Sequence, residues 1–197
     1  MHSCRLLRLG MAMSILQQWF LTPLSAQQDT QVIKAAYIRN VLNFARWPNQ
    51  TFASTHTPFR LALVGNDKEL EASLRLAFEQ LNHRIQNRKV ELVLFKTPEE
   101  LKDKVSTQGS RTCHALFIPT SEEDKTEWIN TVKLHPILLI SDDPKFVENG
   151  GTVSLVPKED TPNRYIYHIH LKRLRTQKLR FHAEFLRIRS AVKIISK

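Results

Sequence analysis

Phe59-Arg60-Leu61-Ala62-Leu63-Val64, followed directly by Gly65-Asn66-Asp67, is the stretch on which the fold turns. A short apolar run bounded by turn residues reads as a strand buried on both faces. The next segment, Leu70 to Leu81, has helical spacing. Together they make one strand–helix unit, and the unit recurs. Val90 to Phe95 is a second strand, and Thr97-Pro98-Glu99-Glu100 opens a helix with proline in its first turn. Ala115 to Ile118 is a third strand. Ser121 then caps Glu122 to Val132, with Glu123 and Asp124 near the positive helix end. Pro136 to Ile140 is a fourth. Strands separated by helical segments predict a parallel sheet covered on both faces.

Downstream the pattern changes. Asn149-Gly150-Gly151 is a tight turn, and strands are expected over Thr152 to Val156 and Arg164 to Leu171. The short connection Pro157 to Asn163 makes them an antiparallel hairpin. Phe181, Phe185, Ile188, Val192 and Ile195 keep helical spacing and predict a closing helix over Phe181 to Ile195. The expected fold is a single α/β domain in three layers. Its mostly parallel sheet is flanked by helices and ends in a C-terminal antiparallel hairpin and closing helix.

Upstream, Asp29 to Arg46 has helical spacing, with Asp29 or Thr30 as the cap. Trp47 precedes Pro48, and a residue before proline is pushed out of the helical region, so the pair ends the helix. Before that, Arg5 and Arg8, an apolar span from Leu9 to Leu24, and Leu24-Ser25-Ala26 have the order of an export signal. Gln17-Gln18 interrupts the span, which falls short of the ~20 apolar residues of a membrane helix. The expected organisation is a signal peptide over 1–26 and one domain over 27–197, soluble in the periplasm and not inserted in the membrane.

Removing Arg5 and Arg8 leaves 27 basic against 19 acidic residues. That excess suits an acidic partner, an anionic ligand or a membrane face, and also simple solubility. Cys113 is then the one cysteine left, so the domain holds no internal disulfide.

No catalytic motif emerges. Gly65-Asn66-Asp67 has one glycine where a dinucleotide loop needs three. His168 and His170 share a strand face but lack a third metal ligand. Cys113 leads into a buried strand, as a structural thiol would. Asp142-Asp143 reads as a cap for the turn near Phe146. No serine elbow is present. Neither a catalytic residue nor a cofactor is expected.

The arm from Lys172 to Lys197 carries nine Lys and Arg against Glu184 alone. Charge alone would fit nucleic acid, but an exported chain has little access to it, so no nucleic-acid partner is expected. Arg180 and His182 flank Phe181; in extended chain both face one way and can clamp a small anion. Arg60 is the candidate third contact. Phe44, Trp47 and Pro48 are the candidate partner interface, because aromatic residues anchor interfaces.

The combination of "NFARWP", "LVGND", "ALFIP" and "PILLISDDPKFVENGGTVSL" running into a basic tail resembles the YfiR family of periplasmic proteins. The resemblance implies a non-enzymatic α/β protein, usually a homodimer. It also implies a repressor that binds the periplasmic domain of an inner-membrane diguanylate cyclase, lowering cyclic-di-GMP and biofilm formation. Three positions depart from the family. Members can carry paired cysteines where this chain has Cys113 alone. Ile169-His170-Leu171 replaces an Ile-Asn-Leu type ending. Lys178 stands where a glycine usually precedes the last helix. The other functions considered are a periplasmic small-ligand-binding module and a hydrolase.

Overall fold

The computed structural model describes residues 24–161 and 163–196, with side chains from Thr30 onward. The expected leader lies outside the described residues up to residue 23. In chain order the elements are α1 (Leu24–Phe44), β1 (Ala45–Arg46), β2 (Phe59–Val64), α2 (Lys68–Arg75), β3 (Arg84–Ile85) and β4 (Arg88–Phe95). Then follow α3 (Pro98–Gln108), β5 (Ala115–Ile118), α4 (Lys125–Val132), β6 (Leu138–Ser141), β7 (Val153–Pro157) and β8 (Tyr165–Ile169). The last are α5 (Leu171–Thr176), β9 (Arg180–Phe181), α6 (Ala183–Arg187) and β10 (Val192–Ile194).

The main sheet has the order β10-β8-β7-β6-β5-β2-β4-β3. β4, β2, β5, β6 and β7 run parallel, and β7 and β8 form the expected antiparallel hairpin. Alternation along the central strands explains the three layers. Phe59, Leu61 and Leu63 of β2, with Phe117 and Ile140, pack on one side among Ile38 and Leu42 of α1 and Leu70 and Leu74 of α2. Ala62 and Val64, with Leu116, Ile118 and Leu139, face the other side, where Leu101 and Val105 of α3 and Trp128 and Val132 of α4 cover them. Both sides of these strands are buried, hence their continuous apolar runs.

Local capping follows the sequence in part. Thr97 Oγ1 accepts from the Glu100 amide at 3.3 Å and caps α3. Asp124, not Ser121, caps α4: its Oδ1 accepts from the Glu127 amide at 3.2 Å, and the helix starts later than expected. Asp29 and Thr30 lie inside α1, which begins at Leu24. Asp143 caps the turn before Phe146 through the Lys145 amide at 2.9 Å. Asp142 instead accepts from the Thr120 amide at 2.6 Å and pairs with Lys34 at 2.7 Å.

The closing helix is far shorter than expected. Only Ala183–Arg187 is helical, and Val192–Ile194 adds a parallel strand beside β8. β-Branched Val192 and Ile194 favour the extended state, and the free edge of β8 supplies the partner.

β2 is flanked by β4 and β5, so strand order reverses between β2 and β5, where open α/β sheets commonly bind ligands at the carboxyl ends. Here the N-terminal half of α1 meets that rim. Lys34 reaches Asp142, and Gln31 donates to Asp67 at 3.2 Å. The cavity beside Asp67, lined also by Gly65, Asn66 and Pro119, measures about 10 Å³, room for no more than one water.

Candidate functional site

At the far end of α1 the chain opens a groove. Ala45 and Arg46 pair antiparallel with Phe181 and Arg180, and the His182 amide donates to the Phe44 carbonyl at 3.0 Å. This small ribbon stops α1 at Phe44, three residues before Trp47. Ala45 and Phe181 turn into the core, while Arg46 and Arg180 lie opposite each other on the outer side.

Trp47 is 4% exposed, and its Nε1–H donates to the His114 carbonyl at 2.9 Å. Its ring meets Phe59 edge-on at 4.8 Å. The tryptophan is therefore a packing anchor with almost no outer face. Pro48, half-buried, carries the chain onward into a short turn at Asn49–Thr51 that forms one wall of the groove.

The other wall is the exit from α5. The Leu179 amide donates to the Leu174 carbonyl and the Lys178 amide to Arg175, each at 2.9 Å. That pair of bonds is a Schellman stop, and buried Leu174 and Leu179 supply its apolar contact. The stop needs a left-handed residue at Lys178, which has φ +57°. Glycine takes that conformation without strain and lysine does not. Lys178 thus stands where the backbone calls for glycine. Gln177 fastens the helix end from below: its Oε1 accepts from Thr152 Oγ1 at 2.8 Å, both residues being buried.

The groove is open and about 870 Å³ in volume. Five basic residues line it: Arg46, Arg175, Lys178, Arg180 and His182. None of its lining residues is acidic. Arg46 is held in place, its Nη1 donating to the Asn43 and Ala45 carbonyls at 2.8 Å each. Burial lowers its pKa from the ordinary value. Among the described residues, Arg46, Arg175, Lys178 and Arg180 form no ion pair; His182 Nδ1 lies 3.9 Å from Glu184, an exposed carboxylate. The arrangement is electropositive and uncompensated.

The residues singled out in the sequence divide accordingly. Arg180 and His182 are brought together in the groove, with Pro48 across from them and Trp47 beneath. Arg60 points elsewhere: it donates to the Arg111 carbonyl at 2.8 Å and pairs with Glu91 at 3.4 Å. Phe44 stacks flat on Phe185 at 4.7 Å. Sequence reasoning missed Arg46, Arg175 and Lys178. The available signal was the run Lys172 to Arg180, which holds five basic residues and no acid.

The other candidates are structural. His170 caps α5, its Nδ1 facing the Arg173 amide at 3.4 Å. Cys113 is fully buried, and burial pushes its thiol up to about 12. No group of three His, Cys, Asp or Glu among the described residues is placed to hold a metal ion. No helix among them is long and apolar enough to cross a membrane.

A family model described as YfiR/HmsC-like matches residues 31–189. No curated protein matches the chain. Among solved structures, a LacI-family transcription regulation repressor from Corynebacterium glutamicum aligns at 11% identity with a TM-score of 0.38. The alignment covers 77% of this chain and 53% of that one, so the chain spans about half its length.

Proposed function

The chain belongs to the YfiR/HmsC-like family, and from that membership we propose that it is a regulatory binding protein of the periplasm. In this reading it represses a membrane-bound diguanylate cyclase by binding the cyclase's periplasmic sensory domain, lowering cyclic-di-GMP and biofilm formation. The observation that supports it is the extent of the family match, from within α1 to just before β10. Its action is non-catalytic: the bound form holds the cyclase inactive and release frees it. By linkage, a signal that relieves repression must bind the free and complexed forms with different affinity.

The test is cellular. Deleting the gene should raise cyclic-di-GMP, and restoring the exported protein should lower it again. Unchanged cyclic-di-GMP in both strains would reject the reading. A second reading, a small-ligand module, is favoured by Arg180 and His182 opening onto one groove. It requires calorimetric binding of a small anion that both Arg180→Ala and His182→Ala weaken.

A further inference from the structure

Three features of the groove raise the free energy of the isolated protein. Arg46 and Arg180 are directly opposed in the β1–β9 ribbon, and like charges in that position repel. Lys178 occupies a left-handed position that disfavours a side chain. Arg175 adds a further positive charge, and none of the groove's lining residues is acidic. Strain and repulsion gathered at one place point to a function served there. An anionic occupant turns the repulsion among these charges into attraction and gives the strained Lys178 a charge partner.

We infer that the groove docks an acidic polypeptide segment of a protein partner. The open groove gathers four cations, Arg46, Arg175, Lys178 and Arg180, with His182 beside them, over about 870 Å³, which suits an extended chain with several carboxylates. Arg46 presents a guanidinium already fixed by two carbonyls, and a fixed fork matches carboxylate geometry. A nucleic acid would want aromatic faces for stacking, yet Trp47 and Phe181 are 4% and 8% exposed. A membrane surface would want projecting apolar side chains, and none of the exposed large hydrophobic residues lines the groove. The proposal deepens the regulatory reading by giving the partner's contact its chemistry, and it rests on that reading only for the partner's identity.

The test uses the exported protein and a short fluorophore-labelled polyglutamate peptide, with binding followed by anisotropy. The wild type should bind, more weakly as salt rises. Arg175→Ala/Lys178→Gly should bind about tenfold more weakly. Lys102→Ala/Lys104→Ala, which removes two charges from the exposed side of α3, should stay within about twofold. Lys178→Gly alone should weaken binding while raising the urea midpoint, so lost affinity cannot be put down to misfolding. Equal losses in the α3 and groove variants would overturn the proposal in favour of general charge. Inorganic phosphate displacing the peptide at comparable concentration would overturn it in favour of a small-anion site. Retention on phosphatidylglycerol vesicles without peptide binding would overturn it in favour of a lipid surface. In cells, groove variants that fail to bind peptide yet still lower cyclic-di-GMP would reject this docking face and leave the regulatory reading intact.

Discussion

Trp47 and His114 are joined through the indole N–H of one and the carbonyl oxygen of the other, 2.9 Å apart. The bond ties the exit of α1 to the residue just before β5. The same carbonyl accepts from the Leu138 amide, so helix exit, β5 and β6 meet at one atom. Replacing the ring should therefore loosen more than a rim contact. Trp47→Ala should cost about 3–5 kcal/mol, the range for a large core truncation. Trp47→Phe should cost less, because it keeps an aromatic ring against Phe59 and leaves a smaller cavity. Urea unfolding measures both; a Trp47→Ala loss below about 1 kcal/mol would contradict the buried anchor.

His114 carries the next prediction. Its ring lies between Phe52 and Phe59, at 4.6 and 5.2 Å, and its Nδ1 accepts from the Arg60 amide at 2.9 Å. Burial, with Arg60 and Arg88 adding repulsion, pushes its pKa down to about 4. The folded protein keeps the ring neutral, whereas the unfolded chain takes up a proton near pH 6.5. The linked penalty is absent above pH 6.5 and grows as pH falls toward 4, reaching roughly 3 kcal/mol. His114→Gln keeps an acceptor and removes the titration. Comparing urea midpoints of the two proteins between pH 7 and pH 4.5 should reveal a steeper loss in the wild type. Parallel slopes would refute the assignment.

Two glycines should respond oppositely to alanine. At Gly151 a Cβ would overlap the ring of fully buried Phe146, so Gly151→Ala should cost more than about 2 kcal/mol. At Gly65, with φ +83° and open space around it, alanine meets only backbone strain of about 1 kcal/mol. Thermal denaturation should rank the variants in that order; a reversal would show the Phe146 ring free to yield.

The thiol of Cys113 should be inert in the folded protein, being fully buried and pushed up to about 12. Ellman's reagent should label it only at the rate of unfolding. Cys113→Ser should lower stability by about 1–3 kcal/mol, since it buries a hydroxyl without an assured partner, and should leave the proposed lowering of cyclic-di-GMP intact. Rapid labelling under native conditions would contradict the buried, structural assignment of this thiol.

Much of this architecture could be read from local pattern. β2 and β5 fall on the expected residues because each is an unbroken apolar run between turn residues. α1 was legible as a helix but not in its facing. The buried stripe is Ala35, Ile38, Val41 and Leu42, and Val32 is 45% exposed, because the path of the sheet beneath decides which stripe is covered. The tail misled for a related reason: Phe181 to Ile195 has helical spacing, yet β8 offers a free edge that spacing does not reveal. The groove was half legible. Alternation around Phe181 picked out Arg180 and His182. Arg46 joined them through a pairing across more than a hundred residues, and Lys178 through a helix stop whose strain appears only in the backbone angle.

The reach of α1 to the carboxyl rim of the sheet bears on what that rim can still bind. A ligand seeking the Gly65 amide would find it already bonded to the Phe95 carbonyl at 3.1 Å, while Gln31 and Lys34 of α1 hold the nearby Asp67 and Asp142. Breaking those bonds would be charged against every contact the newcomer made. The scaffold thus has the outline of an open α/β sheet while its rim is already satisfied by its own side chains, so likeness of shape brings no affinity with it.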